Sequence, residues 1–276
     1  MPMPEKRPDS GPRSIAVFLG TSGSGQALLN ILGPLLDKDT RIDLQGVFAI
    51  DDDLRHAADL PFVKELCRLT YRVREFHGAE YERSIALRTR TSRRALEQLA
   101  QRTGVAFTFH DVRGATVSLL QKTVLSADMT LFEPLRLFVT HQVSTPAAPR
   151  LRRRRFVVAI DDREIGAHAL EAVTRLSNGR MQDVTVLISA RTMADVDAGQ
   201  AFVRSHLPAD PADIIFVPQD GLYGLIDVAR AKRADMLVLG ASEETLKSES
   251  LRSLLERLPC PVCLVRSWLG SVSYTH

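Results

Sequence analysis

The segment ADMLVLGASEETLKSESLRSLLERLPCPVCLVR, residues 234–266, contains the pattern that decides the fold. Its apolar run at 236–239 ends on Gly240, as expected for a buried parallel strand that is followed by a sharp turn. Leucines then recur at helical spacing between 251 and 258, prolines end that helix, and a second apolar run occupies 262–265. This order predicts a βαβ unit. Ligands bind at the carboxyl ends of strands in open α/β sheets, so we expect any binding loop directly after Gly240.

The composition is that of an ordinary globular protein. The chain has 276 residues, 45% hydrophobic and 25% charged, with a net charge of +3. This length suits two domains, and so small a net charge does not indicate a nucleic-acid partner. No apolar run approaches the roughly 20 residues that span a bilayer. Residues 1–12 are polar and proline-rich and the chain has three cysteines, so we expect a disordered leader and a cytoplasmic protein without a disulfide scaffold.

The first half opens with a strand at 14–19, the turn GTSGSG at 20–25 and a helix at 26–36. Backbone N–H groups at such a helix N-terminus can bind anions. The turn residues that could contact a nucleotide are Gly20, Ser22, Gly23 and Gly25. However, Gln26 and Ala27 stand where a P-loop has Lys and Ser or Thr. We therefore interpret the segment as a plain strand-to-helix turn, with a modified nucleotide-contacting turn as the alternative.

The remaining apolar patterns of this half predict further strands and helices. The predicted strands are at 42–50, 105–112 and 129–132, and the predicted helices at 60–76, 80–102 and 115–126. Residues 135–143 are either a short helix or an edge strand, and STPAAP at 144–149 has the composition of a linker.

Two charge clusters invite functional interpretations. The acidic residues 51–53 could bind a metal, but without further ligands nearby a solvated strand end is the simpler interpretation. Six arginines on the 80–102 helix, and RLRRRR at 150–155, could contact nucleic acid or phosphate. Because no aromatic residues interleave with the helix arginines and the second run is short, we interpret both as solvated surfaces.

The second half repeats the order of the first. Strands are predicted at 156–160, 184–188, 214–217, 236–240 and 262–265, and helices at 163–176, 193–207, 225–233 and 251–258, with a turn at Gly221. The duplication predicts an α/β fold with two doubly wound parallel-sheet domains, at 13–143 and 153–267. A linker at 144–152 joins them, and residues 268–276 form a tail.

The second half resembles the universal stress protein family. VVAID at 157–161, PQDGLYGLIDVARAKRADMLVLGAS at 218–242 and LPCPVCLVR at 258–266 are similar to the first strand, the third-turn-to-fourth-strand segment and the closing strand of that family. The first half has the order of elements and little of the signature. The resemblance implies a tandem member with Rossmann-like, adenine nucleotide alpha hydrolase-like domains, the first degenerate. Family domains dimerise through the closing strand, which here could pair with the first half or with another chain; we predict a homodimer.

In the nucleotide-binding branch of that family, a glycine loop after the fourth strand approaches the phosphates. This chain keeps the first glycine as Gly240, but Glu243 stands at the second and the closing pair falls near Ser248 and Glu249. Carboxylates there would repel a triphosphate. The resemblance therefore implies weak or no ATP binding. Residues that could still hold AMP or ATP in this half are Asp161, Ile188, Gly240, Ser242 and Ser248.

The role of Asp161 stays open at this point. It matches the family aspartate that faces the base and ribose, yet an aspartate before a helix is equally typical of an N-terminal cap. His168 is expected at the surface. Cys260 and Cys263 lie three apart on a strand, so their side chains should point to opposite faces and not form a redox pair.

These observations predict a non-enzymatic regulatory or interaction module of the stress response. We expect no catalytic residues, metal or cofactor, and an unidentified protein partner. The alternative is an ATP- or AMP-binding sensor that uses the pocket of the second half or the GTSGSG turn of the first. An ATP-hydrolysing enzyme is disfavoured because neither half combines a phosphate cradle with a catalytic acid or base.

Overall fold

The computed structural model describes residues 13–20, 25–37, 41–58, 60, 62–66, 72–75, 78–134, 154–190, 192–218 and 221–267. The strands are β1 (Ser14–Leu19), β2 (Asp43–Ile50), β3 (Lys64–Leu66), β4 (Val73–Glu75), β5 (Ala106–Arg113), β6 (Met129–Phe132), β7 (Phe156–Ile160), β8 (Val184–Ser189), β9 (Asp213–Val217), β10 (Met236–Gly240) and β11 (Val262–Val265). The helices are α1 (Gln26–Leu36), α2 (Asp52–Ala58), α3 (Gly78–Thr103), α4 (Thr116–Ser126), α5 (Arg163–Leu176), α6 (Met193–His206), α7 (Gly221–Ala231), α8 (Glu243–Leu246) and α9 (Ser248–Arg257).

Nine strands form one sheet in the order β5-β2-β1-β6-β11-β10-β7-β8-β9. Every neighbouring pair is parallel except β6 and β11, which run antiparallel. The first half contributes β5-β2-β1-β6, and the second half contributes the same order followed by β11. The chain is thus an α/β protein with two doubly wound halves, as predicted. The closing strand pairs with the first half, which is the first of the two alternatives left open by the sequence.

Apolar helices cover both faces of this sheet. One hydrophobic cluster joins α1, α3, α5 and α6 to the strands, and a second joins α4, α7 and α9 to the opposite face. The central strands β6 and β7 are buried at every position, which explains the uninterrupted apolar sequence of β7 and the single polar residue, Thr130, of β6. Cys260 and Cys263 are buried and belong to opposite clusters, so the prediction that their side chains diverge is confirmed.

A repeated tripeptide ties the fourth strand of each half to its first strand. ADM occurs at 127–129, before β6, and at 234–236, before β10. Asp128 accepts a hydrogen bond from the N–H of Ser14 (3.0 Å), and Asp235 accepts one from the N–H of Arg155 (2.8 Å). The same anchor in both halves is a signal of duplication that element patterns alone do not reveal.

The helix predicted at 60–76 is wrong. The described part of that segment contains the antiparallel pair β3 and β4, in which Lys64 pairs with Glu75. Apolar and polar residues alternate along 69–74, which is the period of a strand, and this stretch is rich in β-branched and aromatic residues. This alternation favours a strand over the predicted helix.

Smaller differences concern helix ends. Gly221 begins α7 instead of forming a turn before a helix at 225. The acidic residues 51–53 are the start of α2 and not a free strand end: the Asp51 side chain accepts hydrogen bonds from the N–H of Asp53 (2.9 Å) and the hydroxyl of Thr116 (3.0 Å). Residues 135–143, the linker and the tail lie outside the described residues, so the domain boundaries stay predictions.

Candidate functional site

Each half has a switch point where its first and fourth strands end side by side, which is the usual ligand position in doubly wound sheets. In the first half Phe18 pairs with Phe132, and in the second half Ala159 pairs with Leu239. When these two pairs are superposed, Glu133 in the first half has the position that Gly240 has in the second. In the same way, Gly20 has the position of Asp161. Each switch point therefore combines one glycine with one carboxylate. The glycine follows the first strand in the first half and ends the fourth strand in the second half, and the carboxylate lies on the other strand of each pair.

In the second half, the side chain of Ile165 from α5 fills the space above Gly240. A Cβ atom added to Gly240 would lie 2.7 Å from Cγ2 and 3.2 Å from Cβ of Ile165. The cavity that remains between β7, β10, α5 and α8 has a volume of about 10 Å³. This is room for about one water molecule, whereas pockets for small organic ligands measure about 300–1,000 Å³. Gly240 is thus required by helix packing and lies under a side chain, not under a phosphate.

The loop after Gly240 is occupied by its own helical turn. The hydroxyl of Ser242 accepts a hydrogen bond from the N–H of Thr245 (3.2 Å) and caps α8. The hydroxyl of Thr245 in turn donates to the carbonyl oxygen of Gly240 (3.0 Å). Glu244 lies on the same turn and pairs with Lys247. A glycine loop would offer free N–H groups here, whereas this turn uses its polar groups on itself.

Asp162, and not Asp161, is the N-terminal cap of α5. Its carboxylate accepts hydrogen bonds from the N–H groups of Glu164 (2.7 Å) and Ile165 (3.4 Å). The interpretation of Asp161 as a helix cap is therefore wrong by one residue. Burial raises the pKa of the Asp161 carboxyl above its ordinary value, with further increases from the charges of Asp162 and Glu244. The rim of this cavity is already crowded with negative charge.

Two predicted residues lie away from this cavity. Ile188 is buried on the side of α6, where its side chain would lie 3.3 Å from a Cβ atom added to Gly199. Ser248 is exposed at the start of α9. Of the five residues predicted for this half, the structure brings together Asp161, Gly240 and Ser242.

In the first half, a carboxylate lies at the N-terminus of α1. Gly25 adopts a left-handed conformation (φ +66°) before the helix, and its N–H donates to Oε2 of Glu133 at 3.2 Å. A Cβ atom added to Gly20 would meet no atom within 4 Å, and Ser22 and Gly23 lie outside the described residues. Glu133 was not among the predicted site residues, although an alignment of the two ADM tripeptides gives it the position equivalent to Gly240.

His168 differs from its prediction. It is only 8% exposed, and its Nε2 lies 3.4 Å from the hydroxyl of Ser267. Burial lowers the pKa of the imidazole, although the nearby Glu171 and Glu164 act in the opposite direction. Within the described ranges no three His, Cys, Asp or Glu side chains are grouped closely enough to hold a metal ion. Nor does any described helix have the length and hydropathy needed to cross a membrane.

Comparison with known proteins gives matches among solved structures alone. No protein-family model matches the chain, and no curated protein does. A universal stress protein from Archaeoglobus fulgidus DSM 4304 is 12% identical, with 91% of this chain and 96% of that chain covered and a TM-score of 0.46. A protein from Pseudomonas aeruginosa UCBPP-PA14 classed with the universal stress proteins is 11% identical over 92% and 93%, with a TM-score of 0.47.

A third structure is a universal stress protein in complex with cAMP, 15% identical, which covers 42% of this chain and 98% of its own, with a TM-score of 0.29. All three share too little sequence and shape with this chain for a ligand or an activity to be transferred. These structural neighbours are universal stress proteins.

Proposed function

We propose that the protein is a tandem universal stress protein that acts in the cytoplasm as a non-enzymatic regulatory or interaction module, with weak or no ATP binding. One observation carries the proposal. At the second switch point, Ile165 covers Gly240 and leaves a cavity of about 10 Å³, too small for an adenine ring or a ribose.

The charges around both switch points support the same conclusion. Among the described residues that line the second cavity, Asp161 and Asp162 are the charged ones, and none is basic. In the first half, the carboxylate of Glu133 lies on the N–H of Gly25, where an incoming phosphate would otherwise bind. A triphosphate brought to either site would meet like charges in a partly desolvated place, at a cost on the order of kcal/mol per pair.

The position of β11 constrains the choice of partner surface. Both edges of this strand are hydrogen-bonded within the chain, to β10 and to β6. A homodimer, which we still predict, must therefore form through a surface other than the closing strand. Light scattering at several protein concentrations tests it: the mass of a dimer is expected, and a monomer mass throughout would contradict this part of the proposal.

Calorimetry tests the central part of the proposal. The protein is unfolded, stripped of any bound nucleotide, refolded and titrated with ATP, AMP and cAMP. We expect no binding up to millimolar concentration. Binding at micromolar strength, or release of nucleotide on unfolding, would instead establish the ATP- or AMP-binding sensor.

A matched variant separates the two causes of lost affinity. Glu243→Gly with Glu249→Gly restores glycine to the loop but leaves Ile165 in place. We expect this double variant to remain without ATP affinity, because the cavity is closed by packing and not by charge alone. If the two glycines were enough to create ATP binding, closure by Ile165 would be the wrong explanation.

A further inference from the structure

A cleft larger than the cavity at Gly240 lies beside β5, the edge strand of the first half. It has a volume of about 340 Å³ and is lined by α3 and by the carboxyl ends of β2 and β5. This volume falls in the range of about 300–1,000 Å³ that is typical of small-ligand pockets. Carboxyl ends of parallel strands are also the usual side of an α/β sheet for binding.

The floor of this cleft is apolar. Ile50 and Ile85 line it and are only 6% and 5% exposed, so their side chains are firmly packed in the core. Ala86 and Thr89 continue the lining along α3, and the Thr89 hydroxyl is held by its hydrogen bond to the carbonyl of Ile85 (2.9 Å). The floor therefore offers an apolar surface that does not need to rearrange when a ligand arrives.

The walls carry more positive than negative charge. Both acidic residues of the lining have a cation of their own: Oε1 of Glu82 lies 3.1 Å from Nε of Arg55, and Oδ1 of Asp111 lies 4.0 Å from Nη2 of Arg93. Arg93 is also held over the ring of Phe109, with 4.8 Å between the guanidinium carbon and the ring centre. This arginine is thereby oriented at the cleft wall.

Two further arginines reach the cleft from opposite elements. Arg90 comes from α3 and Arg113 from the end of β5, and both line the cleft. Both are exposed, and within the described part of the chain neither takes part in an ion pair with an acidic side chain. Their charges are left to water in the absence of a ligand.

We propose that this cleft binds a small phosphomonoester, with the phosphate between Arg90 and Arg113 and the organic part on Ile50 and Ile85. Guanidinium groups bind phosphate oxygens in a bidentate manner, and two unpaired guanidinium groups match the charge of a phosphate dianion. The paired Glu82 and Asp111 border the site without cancelling these two charges. The inference goes beyond the proposed function and does not rest on it, since no residue of the cleft belongs to a switch point.

Calorimetry with phenyl phosphate tests the site on the full chain. The probe combines a phosphomonoester with an apolar ring, and phenol and inorganic phosphate serve as its two halves. We expect phenyl phosphate to bind at least about tenfold more tightly than either half, because both the arginines and the floor contribute. No binding of phenyl phosphate at millimolar concentration would overturn the proposal, as would equal affinity for inorganic phosphate.

Variants locate the binding within the chain. Arg90→Gln and Arg113→Gln should each lower the affinity for phenyl phosphate at least about tenfold, since each removes a charged hydrogen-bond donor. Arg94→Gln is the matched control, because Arg94 is exposed on the same helix but does not line the cleft; we expect less than about a twofold change. A loss with Arg94→Gln as large as that with Arg113→Gln would show nonspecific attraction to a basic helix. Circular dichroism and thermal midpoints verify that each variant is folded.

Discussion

The two switch points of this protein share one arrangement of strands and differ in the side chain that lies at each of them. In the first half, a carboxylate at the end of the fourth strand, Glu133, reaches the N–H of Gly25 at the start of the next helix. In the second half, the corresponding position is Gly240, and a side chain from the helix, Ile165, lies on it. At the first site a carboxylate lies at the helix N-terminus, and at the second site an apolar side chain fills the space above the glycine.

A glycine at the end of a strand is therefore not by itself a sign of a ligand site. Gly240 has the sequence position of a phosphate-approach residue, yet its missing side chain makes room for Ile165. At the first switch point the residue type itself has changed, and its carboxylate takes the place of an anion. Substitutions that change only the packing on Gly240, or only the contact of Glu133 with Gly25, therefore test whether the two sites differ in this way.

The largest effect is expected for Gly240→Ala. The new Cβ would lie 2.7 Å from Cγ2 of Ile165, and we expect overpacking to lower the free energy of unfolding by about 1–3 kcal/mol. Chemical denaturation, monitored by circular dichroism, measures this change in the free energy of unfolding. Combining Gly240→Ala with Ile165→Ala should remove most of this penalty relative to Ile165→Ala alone.

The matched control for this experiment is Gly20→Ala at the first switch point. No atom lies within 4 Å of a Cβ added there. We expect a change between zero and a gain of about 1 kcal/mol, from the reduced entropy of the unfolded chain. Equal destabilisation by both alanines would contradict the packing role assigned to Gly240.

The next effect concerns the carboxylates at the two helix N-termini. Asp162→Ala removes an acceptor from two N–H groups of α5, and Glu133→Ala removes one from Gly25 before α1. We expect each to lower the free energy of unfolding by about 0.5–2 kcal/mol, with Asp162 the larger because it caps two groups. Urea denaturation of the two variants, with Glu133→Gln as the variant that keeps an acceptor, measures the difference. If Glu133→Ala left the free energy of unfolding unchanged, the contact between Glu133 and Gly25 would not stabilise the first site.

A smaller, stabilising effect is expected at the strand that joins the halves. Thr130 on β6 is fully buried, and its hydroxyl has no hydrogen-bond partner among the described residues, whereas the equivalent residue in the second half is Leu237. Thr130→Val should raise the free energy of unfolding by about 1 kcal/mol, because it removes an unsatisfied buried hydroxyl. Thr123→Val is the control, since that hydroxyl donates to the carbonyl of Leu119 (2.9 Å) and its loss should bring no gain. Thermal denaturation compares the two.

The smallest effect is a pH dependence at Asp161. Its pKa is raised above 3.8, the ordinary value, so the folded state favours the protonated carboxyl. The stabilising contribution is therefore full below that value and is lost as the pH rises through the folded-state pKa. Asp161→Asn should be more stable than the parent protein near pH 7, by less than about 1 kcal/mol because the group is exposed and screened.

Denaturation curves between pH 3 and pH 8 check this prediction, and the gain of Asp161→Asn should disappear at the acidic end. A gain that is independent of pH would mean that ionisation of Asp161 is not its cause.

Much of the fold could be predicted because the central strands are buried on both faces. Runs such as 156–160 and 236–239 are apolar without interruption, and the helices α5 and α9 that follow carry apolar residues at helical spacing. The helix predicted at 60–76 is wrong, although the alternation of apolar and polar residues along 69–74 is typical of a strand. There the local sequence contained the answer.

The candidate sites were less predictable because they depend on contacts between distant elements. The cap of α1 joins Gly25 to a residue 108 positions away. Nothing near Gly240 in sequence indicates that Ile165, 75 positions earlier, covers it. The carboxylates after Gly240 led to the prediction of a lost phosphate loop, whereas the contact of Ile165 with Gly240 is a packing feature that only the fold reveals.

The most direct test of the closed switch points is a nuclear magnetic resonance titration of refolded, nucleotide-free protein with ATP. The reporters are the backbone N–H groups of Gly25 and Gly240 and the δ1 methyl group of Ile165, which lie at the two sites. We expect no shift of these three signals up to millimolar ATP, because neither switch point binds it. Saturable shifts of Gly240 and Ile165 would show that the second cavity opens for a nucleotide, and would contradict this expectation.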